Sequence, residues 1–273
     1  MSRLLPIIIC ADDFGLNVPV NRAVIELLHA GRLSAASCLV DGAAIHAGAS
    51  ELRHLQRSTF DLGLHLNFTE ALEGGGLREP LPFLIARAYA GRLDLTAIRM
   101  EVRRQLTRFE DMFGEVPDYV DGHQHVHQLP GVRHMLLSEL HDRYGDARPW
   151  LRSCRRPTQS WSTKALLIDF LGSNGLVRAA TQYGFRTNGR LLGVYDFSGS
   201  VQEYLERTET WLRQAQPFDL LMCHPGLGND DRDQISSARW TEYAALSSEA
   251  FERALVHWGV VPSRLSRTNA LMV

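Results

Sequence analysis

The chain has 273 residues, of which 45% are hydrophobic and 22% are charged. This length suits one large α/β domain or two small domains, and the composition is that of a globular protein. Because 29 Lys and Arg residues nearly balance 31 Asp and Glu residues, the charge excludes a basic surface for binding nucleic acid.

The first half of the chain alternates short apolar runs with helical patterns. The first run is apolar and β-branched, as is typical of a strand buried on both faces. A later stretch repeats apolar residues at three- and four-residue spacing until Gly114 and Pro117 end it, which predicts a long amphipathic helix. The predicted elements are a strand at 7–11, a helix at 21–30, strands at 37–40 and 61–66, and a helix at 95–113.

The second half continues this alternation. The predicted elements are a strand at 119–121, a helix at 132–142, a strand at 150–153, helices at 164–183 and 201–214, a strand at 218–223, a helix at 248–258 and a C-terminal strand-like segment. Alternation of this kind implies a parallel sheet, and seven or eight units suit a barrel that closes on itself. An open doubly wound sheet is the alternative. No linker interrupts the pattern, so residues 1–273 are expected to form a single domain.

The four cysteines are widely spaced and form no CxxC pair. They are expected to be small buried residues in a reducing compartment. No segment is long and apolar enough to span a membrane. A cytoplasmic location is therefore expected, and both a monomer and a homodimer stay open.

Polar side chains follow four of the predicted strands, where parallel βα folds bind their ligands. These residues are Asp12, Asp13, His65, Asn67, the run 121–127 and His224. Taken singly, the aspartates suit a turn or a helix cap, and the histidines suit hydrogen-bonded structural positions.

The run 121–127 is harder to explain structurally. If it is extended, its alternate residues Asp121, His123, His125 and His127 face one cavity. Imidazoles buried together need a cation or hydrogen-bond partners. A set of aspartates and histidines suits Zn²⁺, Mn²⁺, Co²⁺ or Mg²⁺, and it predicts hydrolysis by an activated water molecule.

These motifs together resemble the YdjC-like carbohydrate deacetylases. The motifs are Ala11-Asp12-Asp13-Phe14-Gly15, Gly63-Leu64-His65-Leu66-Asn67, the run from Asp121 to His127, and His224-Pro225-Gly226. The resemblance implies an irregular (β/α) barrel related to polysaccharide deacetylases. It also implies hydrolysis of an acetamido group on an N-acetylated sugar, oligosaccharide or glycolipid. Residues 155–199 match no motif of the family.

The resemblance also implies roles for individual residues. Asp13, His65 and His123 become ligands of one divalent ion, with Mg²⁺ or Zn²⁺ favoured, although spacing alone does not choose His123 over His125. Asp12 becomes the general base and His224 the general acid. The remaining residues, predicted to contact the substrate or to support the site from outside, are Asn67, His125 and His127.

Two other functions are kept as alternatives. One is a metal-dependent hydrolase of another bond, such as a phosphoester. Such a site usually places arginine or lysine at the metal, and the strand-end motifs contain neither. The other is a non-catalytic sugar-binding protein, which would be expected to have lost Asp12, Asp13 or a histidine ligand.

Overall fold

The structure, a computed structural model, describes residues 4–158, 162–228, 230 and 233–267. The strands are β1 (Leu5–Phe14), β2 (Ala35–Cys38), β3 (Asp61–Leu66), β4 (Tyr119–Gly122), β5 (Trp150–Leu151), β6 (Leu191–Leu192), β7 (Leu220–Cys223) and β8 (Val260–Pro262). The α-helices are α1 (Val18–His29), α2 (Ile45–Leu52), α3 (Leu81–Tyr89), α4 (Leu95–Phe113), α5 (Val132–Tyr144), α6 (Thr163–Phe170), α7 (Ser173–Gln182), α8 (Val201–Gln214), α9 (Ser236–Leu246) and α10 (Glu249–His257). A 3₁₀ helix covers His123–Gln128. Within the described ranges, no helix combines the length and apolar character needed to cross a bilayer.

The strands form one parallel sheet in the order β5-β4-β3-β2-β1-β7-β6. An isolated parallel bridge joins Leu151 of β5 to Thr187, which precedes β6, and the Leu191 amide of β6 donates to the carbonyl of Arg155, which follows β5, at 2.7 Å. We call these two contacts the seam. When β5 and β6 are taken as neighbours, the strands from β1 to β7 follow one another around a ring in chain order. In a doubly wound sheet, the strand order instead reverses at a switch point. The predicted irregular barrel is confirmed, and the open doubly wound alternative is wrong.

Strand β1 lies at the centre of the sheet. It pairs with β2 on one side and β7 on the other, and its first residues pair with β8. Residues 7–11 have no exposed surface, which explains why this run is apolar without alternation. A strand that is buried from Ile7 to Phe14 therefore carries Asp12 and Asp13 to the carboxyl end of the sheet.

At the opposite end of the sheet, Asp61 fastens the segment that follows β8. Its carboxylate accepts the Leu265 and Ser266 amides, each at 3.0 Å, and the Arg264 Nε at 2.6 Å. It also accepts the Trp150 indole N–H at 3.0 Å. One fully buried carboxylate at the start of β3 thus joins β3, β5 and the C-terminal segment.

Several predicted elements differ from those observed. The helix predicted over 164–183 is two helices, α6 and α7, because Gly172 adopts a φ of 134° between them. Elements α2, α3, α9 and β6 were not predicted. The four cysteines are buried and free, which confirms the prediction that they form no disulfide framework.

Candidate metal centre

A break in the β1 ladder delivers two adjacent carboxylates to the same strand end. The register between β1 and β2 shifts near the end of β1, and Asp13 has a φ of 65°. Neighbouring side chains of a regular strand point to opposite faces, a restriction that a bulge removes. Gly15 completes the turn with a φ of 98°, and a Cβ there would lie 2.8 Å from the Leu39 carbonyl oxygen. The turn that presents Asp12 and Asp13 therefore requires glycine.

Asp13, His65 and His123 bring nitrogen and oxygen atoms from three strand ends together. Asp13 Oδ1 lies 3.4 Å from His65 Nε2 and 3.0 Å from His123 Nδ1. One ligand atom of each residue lies within 4.8 Å of the other two. We call these three residues the donor cluster. Asp13 and His65 are buried, whereas the His123 side chain is 18% exposed, so the donor cluster is least covered at His123.

The other ring nitrogen of His65 is occupied by a buried carboxylate. His65 Nδ1 lies 2.6 Å from Asp121 Oδ1, at the end of β4. When Nδ1 donates its proton there, Nε2 presents a lone pair toward Asp13, as in many histidine metal ligands. Although burial disfavours the imidazolium, Asp121 and Asp12 raise the pKa of His65 to about 10. The same carboxylates would stabilise a bound cation in place of that proton.

The spacing within the donor cluster fits a divalent cation. Ligand atoms about 2.0–2.1 Å from a tetrahedral zinc ion lie about 3.3 Å apart, close to the 3.4 and 3.0 Å measured here. One carboxylate and two imidazoles leave coordination positions for water and substrate. Asp13, His65 and His123 can therefore hold a metal ion. A second group, Cys10, Asp12 and Asp121, also has ligand atoms close together, but Arg152 already occupies both of its carboxylates.

The second oxygen of Asp13 is held by an arginine that the sequence analysis did not single out. Arg239, on α9, donates from Nη2 to Asp13 Oδ2 at 2.8 Å and from Nε to Asp233 Oδ2 at 2.5 Å. Burial disfavours the charge on Asp13, but Arg239 and His123 hold its pKa well below the ordinary value. Asp13 is therefore ionised, and its Oδ1 faces the histidines.

A second arginine holds Asp12. Arg152, directly after β5, has no exposed surface and donates to both Asp12 oxygens, at 2.7 and 2.5 Å. Its Nη2 also lies 2.5 Å from Asp121 Oδ2. Burial opposes the charge on Asp12, but Arg152 and His65 hold its pKa below the ordinary range. Asp12 is therefore an ionised carboxylate with a fixed orientation.

Arginine is thus present at the site, although the strand-end motifs contain none. Arg152 and Arg239 lie outside those motifs. Both guanidinium groups are buried against carboxylates of the site, so they neutralise acidic groups and are not exposed to a substrate. An arginine inside the apolar run 150–153 was a usable signal, because a buried arginine needs an acidic partner. No pattern in the sequence identifies Arg239.

His224 follows β7 directly, as predicted, and lies beside Asp12. Its Nε2 is 3.8 Å from Asp12 Oδ2, and the Phe197 ring meets its imidazole edge to face with centroids 5.1 Å apart. Burial lowers the pKa of His224 to about 4, against the opposing charge of Asp12. The imidazole of His224 is therefore neutral near pH 7, whereas the predicted general acid needs a proton to donate.

The segment after β4 is not extended, contrary to the prediction. Gln124 and His125 adopt left-handed φ angles of 51° and 59° within the 3₁₀ helix. The strict alternation predicted over 121–127 is therefore wrong. Only His123 of its three histidines joins the donor cluster, so the backbone makes the choice that spacing alone left open.

The other two histidines support the end of β5. His127 is fully buried, and its Nε2 lies 2.9 Å from the Arg152 carbonyl oxygen. His125 Nδ1 lies 3.6 Å from Cys154 Sγ. Burial lowers the pKa of both imidazoles, to about 4 for His127. Of the two roles predicted for this pair, these contacts favour support of the site from outside.

Asn67 organises the turn after β3. Its Oδ1 accepts the Thr69 and Glu70 amides at 3.0 and 2.9 Å, and its Nδ2 donates to the Glu70 carbonyl at 2.9 Å. The turn places Glu70 Oε2 3.9 Å from His123 Nε2. These bonds likewise favour a supporting role for Asn67 over direct substrate contact.

Comparison with known proteins places the chain in a family. A family model described as YdjC-like protein matches residues 6–257. The chain belongs to the YdjC-like family. The carbohydrate deacetylase of Homo sapiens is 30% identical to this YdjC-like chain over 254 residues, which cover 83% of this chain and 76% of the relative. The chitooligosaccharide deacetylase of Yersinia pestis is 29% identical over 272 residues, covering 95% and 96%.

Solved structures share the fold of this YdjC-like chain. A putative cellobiose-phosphate cleavage protein from Enterococcus faecalis superposes with a TM-score of 0.71 at 18% identity, covering 96% of this chain and 98% of that one. A peptidoglycan N-acetylglucosamine deacetylase superposes with a TM-score of 0.50 at 11% identity, covering 95% and 86%. The expected relation to the barrel of polysaccharide deacetylases is confirmed at the level of fold.

Proposed function

We propose that this YdjC-like chain is a metal-dependent hydrolase that removes the N-acetyl group from an acetamido sugar, oligosaccharide or glycolipid. The observation that carries the proposal is the donor cluster, with Asp12 and His224 beside it. Family membership supports a carbohydrate substrate, because the relatives are named as carbohydrate and chitooligosaccharide deacetylases.

Asp13, His65 and His123 are the proposed ligands of one divalent ion, Mg²⁺ or Zn²⁺. When bound, such an ion lowers the pKa of water and polarises the acetamide carbonyl. Two imidazole nitrogens favour Zn²⁺, because Mg²⁺ prefers oxygen ligands. Arg239 keeps Asp13 ionised and leaves Oδ1 directed at the histidines.

Asp12 is the proposed general base. It is ionised and held at both oxygens by Arg152, so it needs no rearrangement before it accepts a proton. Asp12 takes one proton from water as the water oxygen bonds to the acetamide carbon. A general base of this kind typically contributes about 10²–10⁴ in rate.

His224 is the proposed donor to the leaving nitrogen. Because it is neutral near pH 7, we propose that it first receives the proton that Asp12 removed. Asp12 Oδ2 and His224 Nε2 are 3.8 Å apart, so the imidazole moves to hydrogen-bond distance of Asp12 for this transfer. His224 then protonates the nitrogen as the C–N bond breaks, which leaves a free amine and acetic acid, and the acid loses its remaining proton to give acetate. The competing role is a neutral histidine that only hydrogen-bonds the substrate.

Phosphoester hydrolysis and non-catalytic sugar binding are the alternative functions. Within the described part of the centre, Arg152 and Arg239 are both engaged with carboxylates, which does not favour phosphate recognition. Asp12 and the complete donor cluster argue against a protein that has lost catalysis. The likeness to a putative cellobiose-phosphate cleavage protein concerns the fold alone.

The test compares two products from the same purified protein. Acetate and phosphate release are measured on N-acetylglucosamine, its oligomers and a phosphorylated sugar. The proposal expects acetate release that a chelator abolishes and added Zn²⁺ restores. Phosphate release without acetate would establish the phosphoester alternative, and sugar binding without either product would establish a binding protein.

Two further expectations stay predictions: a cytoplasmic location and a single domain over residues 1–273. The choice between a monomer and a homodimer stays open. The end residues 1–3 and 268–273 of that domain lie outside the described residues. Light scattering on the purified protein measures the oligomeric state directly.

A further inference from the structure

Glu242 is a fully buried carboxylate directly behind His224. It lies on α9, and its Oε2 accepts the His224 backbone amide at 2.5 Å. The hydroxyl of Tyr195 donates to Oε1 at 2.7 Å, and that of Tyr204 donates to Oε2 at 3.4 Å. The carboxylate therefore meets a backbone amide and two phenols.

No ion pair joins Glu242 to a cationic side chain within the described residues. Arg239, one turn earlier on the same helix, is directed at Asp13 and Asp233 instead. A buried carboxylate without a cationic partner is costly, and such groups concentrate at functional sites. The free-energy cost of burying this carboxylate requires an explanation of why position 242 is a glutamate.

The three partners supply that reason. A backbone N–H can only donate, and the buried tyrosines, whose pKa values are raised by burial and by Glu242, keep their protons. A carboxylate accepts at both oxygens, whereas a glutamine in the same place would direct an NH₂ group at one of these donors. When ionised, above the pKa of about 7 to which burial raises it, Glu242 therefore satisfies all three donors.

Helix α9 fixes the backbone at both ends of the turn that carries His224. Glu242 holds the His224 amide, and the Gly226 amide donates to the Arg239 carbonyl at 3.0 Å. Phe197 contacts the imidazole from the other direction. The turn is therefore attached to α9 at two points, two residues apart.

We infer that Glu242 is a positioning residue for His224: its carboxylate fixes the turn that places the imidazole beside Asp12. The inference rests on the proposed function, in which His224 protonates the leaving nitrogen. A displacement of about 1 Å costs up to about 100-fold in rate, so removing the carboxylate should impair proton donation specifically.

The test uses substrates of different leaving-group ability in the zinc-loaded enzyme. On an acetamido sugar, Glu242→Gln should lower kcat by about 10- to 100-fold with little change in KM. On 4-nitrophenyl acetate, whose leaving group needs no proton, the loss should be less than about threefold. In a His224→Ala background, Glu242→Gln should cause no further loss on the amide. The matched control is Glu249→Gln, at an 88% exposed side chain on α10, which should change nothing.

NMR spectroscopy of the His224 imidazole provides a measurement that does not depend on activity. Imidazole ¹⁵N–¹H resonances, assigned by their loss in His224→Ala, should be single in the parent and shifted or broadened in Glu242→Gln. Unchanged resonances, or equal losses on amide and ester, would overturn the inference. If the parent releases no acetate from any acetamido sugar, the proposed function fails, and the resonances still decide whether Glu242 positions His224.

Discussion

His65 has a carboxylate at each ring nitrogen. Asp121 lies at Nδ1 and Asp13 at Nε2, at 2.6 and 3.4 Å. An imidazole between two carboxylates carries either a proton on both nitrogens or a proton on one nitrogen and a cation on the other. His65 can bind a cation at Nε2 when Nδ1 keeps its proton and donates it to Asp121, as is common for histidine metal ligands.

The choice of His123 over His125 as ligand is directly testable. His123→Ala should abolish retention of zinc, measured by elemental analysis after gel filtration, because the donor cluster loses one of three ligands. His125→Ala should retain zinc, because His125 contacts Cys154 instead. Full zinc occupancy in His123→Ala would transfer the assignment to His125.

Replacing the proposed base should separate chemistry from metal binding. Asp12→Asn should keep zinc and fold but lower kcat by about 10²–10⁴, because the amide cannot accept the water proton. Zinc content and circular dichroism are measured beside acetate release. Parent-like turnover in a zinc-loaded Asp12→Asn protein would show that another group takes the proton.

Glu242 should also leave a signature in the pH dependence of stability. Burial raises its pKa from an ordinary 4.5 to about 7, so between these values the folded protein keeps a proton that the unfolded chain has released. Stability contributed by this group is therefore lost as pH rises from 4.5 to 7, by about 3 kcal/mol. The free energy of unfolding of the parent should fall relative to that of Glu242→Gln across this window, measured by urea denaturation. A constant difference between the two proteins would contradict the raised pKa.

At the scale of elements, the turn at the end of β1 combines strain with close packing. Gly15 and Gly31 both have positive φ angles, 98° and 67°, but only Gly15 has neighbours within 4 Å of an added Cβ. Gly31→Ala should cost about 1 kcal/mol from backbone strain alone. Gly15→Ala should cost more than about 2 kcal/mol and weaken zinc binding, because the Leu39 carbonyl must move. Equal losses of unfolding free energy would show that the close contact has no effect.

The elements that the sequence predicted are those with a clear apolar pattern. Bounds were correct for α4 and α8, where the apolar stripe is regular, and β3 was correct in full. Helix α9 was missed because its buried face carries Arg239 and Glu242, which a hydrophobicity pattern reads as solvent-exposed. The 3₁₀ helix was missed because its two left-handed residues are not glycines.

The same contrast holds for the centre. The strand-end motifs led to Asp12, Asp13, His65 and His224, because parallel strands bring such residues together whatever their separation along the chain. The partners that set their charge, Arg239 among them, come from other elements and have no local pattern. The pKa of His224 could not be anticipated, since it depends on burial by those elements.

At the scale of the whole molecule, some strands of the barrel are held by many more hydrogen bonds than others. Strand β1 is paired along both sides, and Asp61 ties β3, β5 and the C-terminal segment together at the far end. Helix α9 supports Asp13 and His224 at the near end. Between β5 and β6, the seam has one bridge and one further backbone hydrogen bond.

This unequal fastening implies that amide protons exchange with solvent in a set order. The Leu151 amide donates to the Arg186 carbonyl and the Leu191 amide to the Arg155 carbonyl at the seam. The Asn188 side chain adds two hydrogen bonds to the Ser153 backbone, and the strands separate when these few bonds break. The Ile8 amide, bonded to the Asp219 carbonyl at 2.9 Å, is released only when the central ladder opens. Peptides at the seam should therefore take up deuterium through local opening, whereas peptides of β1 should take it up only on global unfolding. Mass spectrometry measures both rates. Because Arg152 follows Leu151 directly, each such opening would also loosen the guanidinium that holds Asp12, so exchange at the seam and loss of the active arrangement should share one rate. Equal protection of β1 and the seam would exclude this order.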